Sequence, residues 1–176
     1  QARVEESGLD IPEVLEVSRI DGEWALAIQF VEGETLAEIM EKDPENLEKY
    51  MEQFVDLQLS MHEKKAPRLT LQKDKFARKI ASLKDTVNAT IRYELCTRLD
   101  AMPAHKKLCH GDFNPTNVIV REDGTMTIVD WAHATQGNAS GDAAITYLEF
   151  ALKDQKTADL YLDIFCRKSD TAKQYV

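Results

Sequence analysis

Residues 108–117 read Leu108-Cys109-His110-Gly111-Asp112-Phe113-Asn114-Pro115-Thr116-Asn117. A polar stretch with a glycine and a proline inside it reads as a loop. Two short apolar runs follow, Val118-Ile119-Val120 and, past the Asp123-Gly124 turn, Met126 to Val129. Such runs on either side of a turn signal spell a β-hairpin. Asn117 opens that hairpin and Asp130 stands where it closes. A hairpin brings its two ends together, so these residues are expected to be neighbours, with Asp112 one turn back. Three oxygen-bearing side chains without a full protein cage suit a hard cation such as Mg²⁺, which is usually held by one or two carboxylates plus substrate phosphates. Taken singly, Asp and Asn are ordinary turn formers. Three of them around one hairpin are less easily explained that way.

Upstream of the loop, Ala2 to Ser7 reads as a helix tail closed by Gly8. Val14 to Arg19 is a strand, Asp21-Gly22 a two-residue turn, and Trp24 to Val31 a mostly apolar strand expected to be buried. The period then changes. Leu36, Ile39 and Met40 mark a short helix, and Asn46 to about Lys64 a longer one carrying an apolar stripe. Pro67 ends it, and two charged helices, Lys73 to Leu83 and Thr86 to Met102, are expected to pair. Beyond the hairpin, Gly141 to Leu152 and Thr157 to Arg167 read as helices. Trp24 and Trp131 are expected in the core.

Composition narrows the class. The 22 basic and 31 acidic residues give a net charge of −9, which argues against a nucleic-acid partner. That charge is compatible with a cationic small substrate, and equally with simple solubility. Three cysteines without a CxxC pair imply neither a disulfide framework nor a zinc site, and fit a reducing cytoplasm. No apolar run is long enough to span a bilayer.

The loop and hairpin together resemble a known family. His110-Gly111-Asp112-x-x-x-x-Asn117 is similar to the catalytic loop of protein kinases, in the H-G-D form of aminoglycoside phosphotransferases and choline kinases. Ile128-Val129-Asp130-Trp131 resembles the segment that replaces the kinase D-F-G. Ile28 to Leu36 is similar to the hinge between the two lobes, and Gly137 to Ala144 to the family's G-D-P-x-x-D-x-A segment. Asn114, Thr116 and the Asn138-Ala139 pair depart from the residues most often found there.

The resemblance implies an α+β, protein-kinase-like fold with a mostly helical large lobe, a remnant of the small-lobe sheet and a β-hairpin at the catalytic loop. Residues 1–31 would be the remnant of the nucleotide lobe with its hinge strand. Residues 32–176 would be the catalytic and substrate lobe, incomplete at its end. It further implies ATP- and Mg²⁺-dependent transfer of the γ-phosphate to a hydroxyl of a small molecule, with aminoglycoside-, choline- and sugar- or amino-alcohol-like acceptors, cationic ones among them, all open. Asp112 would be catalytic, Asn117 and Asp130 would hold the metal, and Ile28, Gln29, Phe30 and Val31 would meet the nucleotide. His110 and Asp142 would brace the catalytic loop. No glycine-rich loop or strand lysine can be assigned before Pro12, so the chain by itself is expected to bind ATP poorly. The alternative is a catalytically inactive binding or regulatory module on the same fold. A protein kinase is disfavoured because no A-P-E segment follows Asp130.

Overall fold

Three short β-sheets flank a block of helices in the computed structural model, which describes residues 1–176. The chain opens with α1 (Ala2–Glu5), and Gly8 then takes a positive φ of 73°. Strands β1 (Val14–Ile20) and β2 (Glu23–Ile28) form an antiparallel ribbon. Its turn residues Asp21 and Gly22 both have positive φ, 52° and 88°, which matches the right-handed twist of the flanking strands. Strand β3 (Glu34–Thr35) leads into α2 (Leu36–Lys42). Thr35 and Glu38 close a reciprocal capping box that fixes where this helix starts.

Helix α3 (Leu47–His62) is the spine. Met51, Phe54, Val55, Gln58, Met61 and His62 recur at three- and four-residue spacing and are all buried. They pack on α7 (Gln155–Ser169) through its buried Ala158, Tyr161, Ile164 and Phe165. Helices α4 (Gln72–Ser82) and α5 (Ala89–Ala101) pair with each other as expected. The hairpin of β5 (Val118–Val120) and β6 (Met126–Ile128) forms with Val118 opposite Ile128, and β3 adds to its open edge. Strand β4 (Lys107–Cys109) pairs with β7 (Thr135–Gly137), after which α6 (Ala139–Ala151) leads to α7.

The loop after β4 is anchored in the core by Phe113, which is fully buried and stacks on Phe54 with ring centroids 4.4 Å apart. A buried polar chain holds the same point. The Tyr161 hydroxyl donates to Gln58 Oε1 (2.7 Å), Gln58 donates to Thr146 (3.3 Å), and Thr146 donates to the Phe113 carbonyl (2.7 Å). Each buried polar group is thereby paired, which removes the cost of burying it. Phe113→Ala is expected to lower stability by about 3–5 kcal/mol, measured as a shifted urea midpoint. A loss below ~1 kcal/mol would mean that this ring does not anchor the loop.

One expectation fails at the ribbon. The segment Trp24 to Val31 is not a buried strand: Trp24 is 70% exposed, Phe30 86%, and Leu26 and Ile28 are exposed as well. Strands β1 and β2 pair only with each other, so no third strand covers them. Trp24 is therefore not a core residue, and its ring lies instead under the Arg19 guanidinium, 4.6 Å from centroid to cation. Trp131 does lie in the core, 2% exposed.

Candidate active site

Asn117 is the joint of the site. Its side-chain amide donates to the Asp112 carbonyl (2.9 Å) and to Asp112 Oδ2 (3.1 Å). Its own carbonyl accepts the N–H of Val129 (2.9 Å), the residue before Asp130. The hairpin register thus carries Asp130 to the place where Asn117 meets Asp112, as the sequence pattern requires. With both amide protons of Asn117 turned to Asp112, its Oδ1 is left without a protein donor. Asp130 is exposed, and its Oδ1 accepts only a long bond from Ala132 N (3.4 Å). It holds a left-handed backbone, φ 57° and ψ 64°, which aspartate tolerates better than most residues. Carboxylate and amide oxygens with spare lone pairs are the donor chemistry Mg²⁺ selects, so the residues present fit that ion.

Asn114 and Thr116, the two departures inside the loop, have local work. Asn114 Oδ1 accepts from Thr116 N (3.0 Å) and caps the turn Pro115–Asn117, while its Nδ2 donates to Asp112 (3.3 Å to the carbonyl, 3.4 Å to Oδ1). The loop therefore stays pinned around Asp112 without the residues more usual at these positions.

Behind the loop sits Asp142, 1% exposed. Its Oδ1 accepts the N–H of Gly111 (2.7 Å), and its Oδ2 accepts the N–H of His110 (3.2 Å) and Nε2–H of His62 (2.9 Å). Burial alone would push this carboxyl up, but His62 and the Gly111 N–H hold it below the ordinary aspartate value. His110 is fully buried, and Nε2–H donates to the Val129 carbonyl (3.0 Å). Burial pushes its pKa down, so the ring is neutral near pH 7 and ties the loop to the hairpin. Gly111, at φ 79°, passes so close to the His133 carbonyl that a Cβ would lie 2.6 Å from it. Gly111→Ala must therefore displace the loop.

Of the residues expected to meet the nucleotide, Ile28 ends β2 and Gln29, Phe30 and Val31 follow it. Gln29 N–H donates to the Glu13 carbonyl (2.8 Å), which closes the ribbon. The carbonyl of Gln29 and the N–H of Val31 take no part in backbone pairing. Ile28 and Phe30 present exposed apolar surface beside them.

Three residues of the site escape the sequence pattern. His62 closes the buried stripe of α3, and that spacing alone puts it inside. Glu149 is half-buried, whereas the neighbouring acids Asp154, Asp159 and Asp163 are exposed. Burial and hydrogen bonding to Asp112, together with that residue's negative charge, raise Glu149 to about 7. Lys75, on α4, donates to the His133 carbonyl (2.8 Å).

An acid held above its ordinary value binds its proton more tightly when folded, so Glu149 costs stability progressively as pH rises from the ordinary 4.5 toward 7. Glu149→Gln is expected to melt higher than the parent at pH 8, with the difference vanishing near pH 4.5. A melting-temperature difference independent of pH would contradict the carboxyl contact.

The profile of the phosphotransferase enzyme family matches residues 2–165. The chain belongs to this family. Solved structures share the fold. The aminoglycoside phosphotransferase APH(4)-Ia superimposes with a TM-score of 0.68 at 18% identity, covering 95% of this chain and 64% of that one. The choline kinase LicA from Streptococcus pneumoniae gives 0.61 at 19% identity, covering 93% and 58%. A choline/ethanolamine kinase family protein from Mesorhizobium loti gives 0.54 at 17%, covering 93% and 56%. At these identities the likeness is one of fold, and the fold is α+β and protein-kinase-like. None of the curated protein sequences compared with the chain matches it. The chain spans roughly three-fifths of the length of these phosphotransferase and kinase structures. No helix is long and apolar enough to cross a membrane.

Proposed function

We propose that this member of the phosphotransferase family transfers the γ-phosphate of ATP to a hydroxyl of a small molecule. The observation that carries the reading is the Asn117 joint, which ties Asp112 by side chain and the strand ending at Asp130 by backbone. Asp112 takes or orients the proton of the attacking hydroxyl. The bond that forms joins the acceptor oxygen to phosphorus, and the bond that breaks joins the γ-phosphorus to its bridging oxygen. The electron pair leaves with ADP. Phosphoryl transfer needs chiefly positioning and charge stabilisation, so a short list of side chains suffices.

Asn117 and Asp130 would hold Mg²⁺, which neutralises charge on the β- and γ-phosphates when bound. The free Gln29 carbonyl and Val31 N–H would meet the adenine edge, with Ile28 and Phe30 against the ring. Related structures support the nucleotide: an APH(4)-Ia variant is described in a ternary complex with ADP and hygromycin B, and LicA in complex with AMP. Residues 1–31 would belong to the nucleotide lobe and 32–176 to the catalytic lobe. Three free cysteines suit a reducing cytoplasmic setting.

The test is ADP release by full-length protein with Mg²⁺-ATP and a panel of hydroxylated amines, sugars and acids. Turnover that needs both an acceptor and the metal supports the reading. No turnover with any acceptor, and no thermal shift with Mg²⁺-ATP, would favour an inactive binding module on this fold.

A further inference from the structure

Two faces of the catalytic loop carry opposite charge. On one side Glu149 approaches Asp112, and the adjoining cavity of about 260 Å³ also carries Glu41 and Asp154 along with Lys153. On the other, a larger cavity of about 540 Å³ opens directly onto Asp112 and Gly111 and runs along α4. Its α4 wall carries Lys75, Arg78, Lys79 and Ser82. Residues at three- and four-residue spacing share a helix face, so these four side chains form one continuous strip.

The strip is unusual in this chain. The protein carries nine more acidic than basic residues, yet Asp112 is the only acid lining this cavity. None of Lys75, Arg78 and Lys79 is paired with a carboxylate, whereas lysines and arginines elsewhere, such as Arg68, Arg167 and Lys168, are. Lys75 is fixed at the inner end by the His133 carbonyl, which itself lies against Gly111. Burial pushes its pKa down, with the charges of Asp142 and Asp112 opposing, so a further anion there would restore what desolvation removes. Arg78 and Lys79 follow about one helical turn, ~5 Å, further out. Arginine forks match carboxylate and phosphate oxygens.

We infer that the natural acceptor carries, besides its hydroxyl, an anionic group, a carboxylate or phosphate, which Lys75, Arg78 and Lys79 read while the hydroxyl faces Asp112. The inference rests on the phosphotransferase reading and replaces the cationic acceptor that the net charge alone allows. Arg78 and Lys79 are specificity-determining residues. An anion on this strip could come from the acceptor or from the γ-phosphate of ATP, and the two sources predict different kinetics.

The test uses acceptors of one carbon skeleton: gluconate and glucose 6-phosphate against sorbitol, glucose and glucosamine, with Mg²⁺-ATP. Anionic members are expected to show a kcat/KM at least about tenfold above the neutral and cationic ones, as a charge-assisted contact supplies. In Arg78→Gln/Lys79→Gln, KM for gluconate is expected to rise about tenfold while KM for ATP does not. A rise in KM for ATP alone would assign the strip to the nucleotide and overturn the inference. Equal or better turnover of glucosamine would overturn it too, and would leave the phosphotransferase reading standing. No turnover of any member would overturn this inference, and no thermal shift with Mg²⁺-ATP besides would remove the phosphotransferase reading as well.

Discussion

Asp112→Asn is expected to lower kcat by about 10²–10⁴-fold, the range in which a positioned general base contributes. The amide keeps an oxygen to accept from Asn117 Nδ2, whose bond to the carboxylate is 3.1 Å, so the loop is expected to keep its shape. Nucleotide affinity should therefore stay within about threefold of the parent, since one charge at the mouth of a solvated site is modest in energy. The measurement pairs steady-state ADP release with a direct titration of Mg²⁺-ATP. Loss of nucleotide binding in a well-folded variant would contradict the division of labour between Asp112 and the residues that meet the metal.

Asp142→Asn is expected to cost as much stability as loss of the Phe113 ring. Its carboxylate accepts from His62, His110 and Gly111, which lie on α3 and on the loop, and none of these donors has another acceptor in view. An asparagine turns an N–H₂ toward one of them and leaves buried donors opposed. A buried donor left without an acceptor costs about 1–3 kcal/mol, so losing two of them costs about 3–5 kcal/mol. In a chain of this length that is a fall in melting temperature of roughly 6–20 °C. The pH dependence follows from the sign of the shift. Asp142 is held below the ordinary aspartate value of 3.8, so its contribution is complete above that pH and is lost only as pH falls through the lower folded value. A variant that melts within ~2 °C of the parent at pH 7 would show that the loop is held by other contacts.

Much of this arrangement is legible in the chain itself. The Asp123-Gly124 turn between two apolar triplets states the hairpin, and hairpin geometry alone brings Asn117 to Asp130. Helix α3 announces its buried face by its spacing, and the 35–38 capping box marks where α2 starts. Short strands are less legible. Lys107–Cys109 and Thr135–Gly137 are three residues each, too short for alternation to register, and their pairing is a tertiary event. The Trp24 to Val31 run misleads because its apolar content suggests burial, whereas a two-stranded ribbon has no covering layer to bury it. Glu149 misleads in the opposite sense. An acid on a helix reads as solvated, and only the fold shows that Glu149 lies beside Asp112.

The basic strip on α4 teaches the same lesson about charge. A net charge of −9 describes the whole surface and says little about a cleft that one helix lines. Local sign is set by which side chains share a helix face, and Lys75, Arg78 and Lys79 share one that opens on the loop.

Mn²⁺ bound in the presence of an ATP analogue, counted by electron paramagnetic resonance, reports most directly on whether residues 117 and 130 serve one ion beside Asp112. The parent protein is expected to hold the ion together with the nucleotide, and Asn117→Ala and Asp130→Asn are each expected to weaken it by about tenfold or more, as losing a ligand group does. Unchanged Mn²⁺ affinity in both variants would place the metal elsewhere and remove the basis of the enzyme reading.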